Sequence, residues 1–299
     1  MKNIITTTAA VVACTFTLIS CGGGDSGNGS AVSRADEGIW SNFSNGTVTN
    51  LMPNMMQVLI LSDGSYWGIA GQNFSSSETT PELGSFCVNG GILHGTASIS
   101  GSSVSGSYTN FTGFPPANGT YVGTVSAQKT LNLTFNAPAN PLMSGASGNF
   151  NLSYDDIYNQ RASLSAIAGN YLDQNGKGCP SSSAIVLSNS QPNDYIHPKL
   201  IISGSNLTLT DQDGNMIMMG TIAPHGTTVN VFDISLTTAT TVMRHSMAGL
   251  FSGNNDVPVK TNYTGILFRT ASGNLKNYIE IVAASGNDSA YFYMGSKQD

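Results

Sequence analysis

Apolar residues recur at every second position along this chain, in short runs broken by turn dipeptides. Thr130-Leu131-Asn132-Leu133-Thr134-Phe135 and Asn206-Leu207-Thr208-Leu209-Thr210 alternate cleanly, as a strand does when one face is buried and the other wet. Gln57-Val58-Leu59-Ile60-Leu61, Thr227-Thr228-Val229-Asn230-Val231-Phe232-Asp233-Ile234 and Asn277-Tyr278-Ile279-Glu280-Ile281-Val282 also read as strands. Between them sit Asn45-Gly46, Asp63-Gly64, Asn89-Gly90, Asn118-Gly119, Asn175-Gly176 and Asp213-Gly214. Asn or Asp before Gly suits the left-handed positions of tight hairpins, which predicts an antiparallel meander. Turn signals return about every 8 to 15 residues, the cadence of barrels and sandwiches. Beyond the N-terminal segment no stretch carries a helical period.

The pattern is stated twice. Gly38-Ile39-Trp40 opens one half, and Gly169-Asn170-Tyr171 opens the other after Ser163-Leu164-Ser165-Ala166-Ile167-Ala168, a stretch that suits a short helical turn plugging a barrel end. Gly123-Thr124-Val125-Ser126 before Thr130-Leu131-Asn132-Leu133 parallels Gly220-Thr221-Ile222-Ala223 before Thr228-Val229-Asn230-Val231. Such echoes arise by duplication or by chance in β-rich chains. The boundary falls near Asp155 to Ser165, the most polar and least alternating stretch mid-chain. Each half holds about 130 residues, enough for an eight-stranded closed sheet with its own core. The expected fold is all-β, two consecutive antiparallel β-barrel or sandwich domains over 36–160 and 161–299.

Ahead of them, Met1-Lys2-Asn3 carries one positive charge and Ile4 to Ile19 is apolar with threonines. That run has the length of a signal-peptide core and is short for a membrane span. It ends in Leu18-Ile19-Ser20-Cys21, which resembles the lipobox of bacterial lipoproteins. The resemblance implies cleavage after residue 20 and lipidation of the Cys21 thiol. Residues 21–35, opening Gly22-Gly23-Gly24-Asp25-Ser26-Gly27-Asn28-Gly29-Ser30, cannot bury apolar area and would tether the body over about 20 Å. Gly22 stands where many inner-membrane lipoproteins carry Asp, so by resemblance the outer membrane is expected, on either face.

Composition narrows the chemistry. Charged residues are 9% of the chain, against about 25% in a typical soluble protein. Ser, Thr and Asn fill roughly a third of it, so hydroxyls and amides must wet the surface. Seventeen acidic and eleven basic side chains leave a net charge of -6, which argues against nucleic acid as a partner. Cys87 and Cys179 would have to join the two halves to form a disulfide. An exported chain permits that bridge, and two separate thiols fit as well.

Catalytic signatures are missing. His94, His197, His225 and His245 are scattered, with no His-Glu-x-x-His, no Cys-x-x-Cys and no Gly-x-Ser-x-Gly. Arg244-His245-Ser246 places a His beside a Ser, but neighbours on a strand point to opposite faces. Asp211-Gln212-Asp213-Gly214-Asn215 invites a calcium loop, yet an EF-hand frame with its glycine at Gly214 would put Leu209 and Gly220 at ligand positions. A hairpin turn between Leu207-Leu209 and Met216-Met218 explains the same residues. Asp155-Asp156 suits either a cation or a connecting loop. No enzyme activity, metal or cofactor is therefore expected.

Aromatics are the expected recognition material: Trp40, Tyr66 and Trp67, with Phe74, in the first half, and Tyr291 and Tyr293 flanking Phe292 in the last strand. They form either an exposed patch for a protein or glycan, or a core with Phe292 inside and the tyrosines in a girdle. Met52, Met55, Met56, Met216, Met218 and Met219 are either adaptable packing or a soft binding surface, with Met219 outward if Met216 and Met218 point in.

Glu37-Gly38-Ile39-Trp40, Leu61-Ser62-Asp63-Gly64-Ser65-Tyr66-Trp67, Thr124-Val125-Ser126-Ala127 and Leu164-Ser165-Ala166-Ile167-Ala168-Gly169-Asn170-Tyr171 resemble the landmarks of a group of uncharacterised proteobacterial lipoproteins. The group has no assigned activity, so the resemblance implies a lipidated, two-part β protein and no mechanism. In architecture the chain is similar to the factor H-binding and transferrin-binding surface lipoproteins, by class alone. The expected function is a non-enzymatic binding or surface-interaction module anchored in the outer membrane. A periplasm-facing assembly or structural lipoprotein is the alternative, and a hydrolase is the more distant one. Its expected partners are the membrane, through the lipid, and a protein, a glycan or, were a barrel hollow, a small apolar ligand.

Overall fold

A computed structural model describes residues 34–42, 55–74, 85–111, 116–136, 147–173, 198–211, 213–238, 260–270, 278–286 and 289–298, with backbone alone for 55, 71–74, 85–90, 147 and 289. The first eight strands are β1 (Gly38–Ser41), β2 (Met55–Ile60), β3 (Ser65–Phe74), β4 (Ser85–Ser100), β5 (Ser103–Asn110), β6 (Ala117–Ser126), β7 (Thr130–Asn136) and β8 (Ser147–Tyr154). The next eight are β9 (Gly169–Asp173), β10 (Lys199–Ser203), β11 (Asn206–Thr210), β12 (Met216–Pro224), β13 (Val231–Thr238), β14 (Asn262–Thr270), β15 (Tyr278–Ser285) and β16 (Ser289–Lys297). Each strand pairs antiparallel with the next, and each set closes on itself into an eight-stranded barrel. Closure comes from Trp40 opposite Tyr154 in the first barrel and from Ser296 opposite Leu172 in the second. The expected two-domain β architecture is therefore two meander barrels.

Eight-stranded barrels are just wide enough for side chains to fill, and both are filled. Inside the first lie Trp40, Val58, Ile60, Tyr66, Tyr121, Leu131 and Leu152, all with no exposed surface. Rings meet there, Tyr66 on Tyr121 at 4.9 Å and Phe135 on Phe150 at 5.7 Å between centroids. Inside the second lie Tyr171, Leu200, Leu209, Met218, Phe232, Leu236, Leu267, Ile281 and Tyr293. A third core joins the two barrels. It takes Ile39, Leu59, Trp67, Ile69 and Ile92 from the outside of the first, and Val231, Ile266, Phe268, Tyr278, Val282 and Met294 from the outside of the second.

Both barrels start with the same device. Gly38 and Gly169 open their first strands at φ +147° and +146°, a backbone conformation that side chains strain. Two residues on, Trp40 and Tyr171 enter the barrels and donate back to the carbonyl four residues upstream. Trp40 Nε1 reaches Asp36 O at 2.9 Å, and the Tyr171 hydroxyl reaches Ile167 O at 2.8 Å. The acceptor in the second barrel belongs to the expected helical turn, α1 (Leu164–Ile167), whose Ile167 is buried at the barrel end.

Several turn and strand expectations need correction. Asp63-Gly64 and Asp213-Gly214 do make hairpin turns, with Gly64 at φ +86° and Gly214 at φ +85°. Asn89-Gly90 instead lies inside β4, where the register passes from Ala70 opposite Gly91 to Gln72 opposite Cys87. Four steps on β4 answer two on β3, so the dipeptide marks an irregularity in the ladder. Asn118-Gly119 lies inside β6, where a Cβ on Gly119 would collide with the Tyr108 ring. Thr227 to Asn230 is turn, and the strand starts at Val231. Among the methionines, Met218 is internal and Met219 is 47% exposed, but Met216 is also exposed. The register shifts between Leu209 and Thr210, which puts Ile217 into the core and turns Met216 out. Asn45-Gly46, Asn175-Gly176 and Met52 lie outside the described residues.

Candidate functional site at the seam between the barrels

The seam exists because two strands are apolar on both faces. In β15, Ile279 and Ile281 point into the second barrel while Tyr278, Val282 and Ala284 point at the first. In β2, Met56, Val58 and Ile60 point inward while Leu59 points at the second barrel. Each strand carries one polar residue on the seam side, Gln57 and Glu280, both 1% exposed. The amide atoms of Gln57 and Oε1 of Glu280 have no hydrogen-bond partner among the described residues. Burial pushes the Glu280 carboxyl up to about 8; the nearby Gln57 amide opposes the shift and the Asp155 charge adds to it.

The connector between the barrels is stitched to both. Asp155 caps the 3-10 turn Asp156–Asn159, its Oδ1 accepting from Ile157 N at 3.1 Å, and its Oδ2 accepts from the Thr270 hydroxyl at 3.2 Å. Tyr158, fully buried, donates its hydroxyl to Glu37 Oε1 at 2.9 Å. Burial raises the Tyr158 pKa, and the charge of Glu37 raises it further, so this proton stays on the phenol. The backbone is tied as well, by Asn230 N to Tyr158 O at 3.0 Å and by Ala162 N to Val229 O at 3.2 Å. Asp155 thus serves the connecting loop, and Asp156 is exposed.

A charged rim borders the seam. Asp63, on the β2–β3 turn, is pulled up by burial, but the Ser65 amide and hydroxyl and the nearby His225 outweigh it and hold the carboxyl below its ordinary value. His225, on the β12–β13 turn, has Nδ1 2.7 Å from Asp233 Oδ1. That contact supplies the His-carboxylate half of what a hydrolase needs. Yet His225 N also donates to Val231 O at 2.8 Å, and Asp233 is 59% exposed, so the pair closes a hairpin in water. His245 and His197 lie outside the described residues. His94 stacks on Trp67 with ring centroids 3.9 Å apart, and burial lowers its pKa, keeping the ring neutral at pH 7. Among the described residues no group of three or more His, Cys, Asp or Glu is placed to hold a metal ion. In the Asp211 loop the carboxylate is used by its own turn, accepting from Asp213 N, Asn215 N and Asn215 Nδ2 at 2.7 to 3.0 Å.

The expected recognition aromatics are corrected by burial. Trp40 and Tyr66 are inside the first barrel and Tyr291 and Tyr293 inside the second, while Trp67 is 7% exposed in the seam. Phe292 packs partly buried against the seam core from β16, while the tyrosines expected in a girdle are the ones inside the barrel. The reason is register: Val282 faces the seam and stands opposite Phe292, so residues 291 and 293 must point the other way. Cys21 and Cys179 lie outside the described residues, as do the side chains of Cys87 and Phe74. No described helix is long and apolar enough to cross a membrane.

Gln57 and Glu280 were not singled out from sequence. Their signal was there: a single polar residue in an otherwise unbroken apolar run, the pattern of a strand buried on both faces. Comparison with protein-family models, with curated proteins and with solved structures finds no match to this chain.

Proposed function

We propose that this protein is a lipid-anchored lipoprotein of the bacterial outer membrane whose two-barrel body is a non-enzymatic binding or surface-interaction module. The observation that carries the reading is the filling of both barrel interiors by side chains. Filled barrels leave the outer faces and loops as the places where a partner meets the protein, and disfavour an apolar ligand held inside. The outer face of the first barrel favours an uncharged partner, a glycan or a neutral protein surface. From Ser85 to Tyr154 the one charged side chain is Lys129, and apart from the exposed Val122 the described outward positions on β5 to β8 are Ser, Thr and Asn, with hydroxyl-amide pairs such as Thr109 with Asn118. The anchor reading rests on Leu18-Ile19-Ser20-Cys21 and the Gly-rich tether behind it; two or three acyl chains hold a protein to a bilayer firmly.

Metabolic labelling with palmitate tests the anchor. The wild type should take label and Cys21→Ala should not; an unlabelled wild type refutes it. Protease shaving of intact cells then separates two roles. Cleavage supports surface display, and protection until the outer membrane is breached supports a periplasm-facing envelope role.

A further inference from the structure

We infer that Glu280 is a proton-operated latch between the two barrels: neutral and facing Gln57 it lets them share their third core, and ionised it admits water to the seam. The latch is independent of the anchor proposed above. Glu280 sits mid-strand in β15, opposite Phe268 of β14 and Met294 of β16, both of which belong to the seam core. Across the seam from β2 comes Gln57, equally buried. A protonated carboxyl has one O–H and one C=O, the complement of an amide's acceptor and donors, so acid and amide are able to satisfy each other. A carboxylate has acceptors alone: it still takes the amide N–H, which is why Gln57 opposes the shift, but it leaves Gln57 Oε1 with nothing to accept from.

The charges around it favour the neutral form. From the connector Asp155 brings a negative charge, and from its own strand Tyr278 brings a phenol that burial keeps protonated. The neighbours on β14, β16 and β2 are Phe268, Met294 and Gln57, all uncharged. Ionisation releases the proton to solvent and changes no other bond. It leaves an unpaired charge in an apolar interface, the arrangement that costs most unless water reaches it. The carboxyl's pKa of about 8 places the transition just above neutrality.

The two tryptophans give the readout. Trp67 is a seam residue and Trp40 is sealed inside the first barrel, so opening the seam exposes Trp67 alone. Acrylamide quenching of the full-length protein is followed from about pH 6 to about pH 9.5, with Trp67→Phe supplying the Trp40 background. The expected result is a rise of about twofold in quenching of Trp67, centred near pH 8, with unchanged far-ultraviolet circular dichroism. Glu280→Gln, shaped like the neutral acid, should stay low and flat. Gln57→Leu should move the midpoint upward, because it removes the group that opposes the shift. A flat wild type, a rise in Glu280→Gln matching the wild type, or an unmoved midpoint in Gln57→Leu would each overturn the latch.

Discussion

Strands β7 and β15 show two ways of being a barrel stave. In β7, Leu131, Leu133 and Phe135 point inward while Asn132 and Asn136 lie in water and Thr130 and Thr134 partly so. In β15 every residue from Tyr278 to Ala284 is buried. The difference lies in what the outer face meets. The outside of β7 meets solvent, so polar side chains are needed at every second position. The outside of β15 meets the other barrel, so alternation disappears. A barrel has no free sheet edge, so these two can join only face to face. Their association is therefore written in the outward residues of a few strands.

Replacing a seam residue should cost as much as replacing a core residue if the third core is real. Phe268→Ala is expected to lose about 3 to 5 kcal/mol of stability in urea unfolding, the range for buried aromatics. A loss under about 1 kcal/mol would reduce the seam to a loose contact between independent barrels.

The next effect is electrostatic. The Glu280 carboxyl is raised to about 8 from an ordinary 4.5, so the folded protein holds a proton that the unfolded chain gives up. Its contribution is full below pH 4.5 and is lost as pH rises through about 8. The steepest slope is about 1.4 kcal/mol per pH unit, hence up to about 3 kcal/mol between about pH 6 and about pH 8. Unfolding measured across that window should lose this slope in Glu280→Gln. A slope unchanged in the variant would assign it elsewhere.

Smaller again is the stitch between connector and first barrel. Tyr158→Phe removes the bond to the buried Glu37 and keeps the ring, so about 2 kcal/mol should go, as for hydrogen bonds to charged groups. Thermal unfolding reads it, and an unchanged midpoint would make the contact incidental.

Most of the barrel plan was legible because alternation and Asp-Gly turns are local. Glycine was legible as a marker and misread as to cause. Asn118-Gly119 looks like a turn, but its glycine clears room for the Tyr108 ring across the strand pair, a long-range demand. The echo of Gly123 in Gly220 is real at the steric level. A Cβ on Gly123 would strike the Asn132 carbonyl and Leu133, and one on Gly220 would strike the Ser235 carbonyl and Leu236. Yet Gly123 lies on the sixth strand of its barrel and Gly220 on the fourth, so the match reports a shared packing solution in unlike places. The first-strand pair, Gly38-x-Trp40 and Gly169-x-Tyr171, does fall in equivalent places. The seam residues were hidden because sequence tells which strands are buried on both faces and not which partner buries them. The aromatics were misplaced for the same reason: ring size signals burial or binding equally until register is known.

The smallest effect should come from the wet face of the first barrel, and that makes it the sharpest control. The Thr134 hydroxyl donates to Asn149 Oδ1 at 2.8 Å across β7 and β8. Both groups are reached by water, which replaces the bond almost evenly, so its net worth falls at the low end of the hydrogen-bond range. Thr134→Val keeps the β-branched shape and strand propensity. It should shift stability by no more than about 0.5 kcal/mol. A loss comparable to Phe268→Ala would mean the face is covered in the folded protein, and that the contrast between the two kinds of stave is wrong. A near-zero shift would show the row of Ser, Thr and Asn to be dispensable for folding, leaving it free to be shaped by whatever it meets outside.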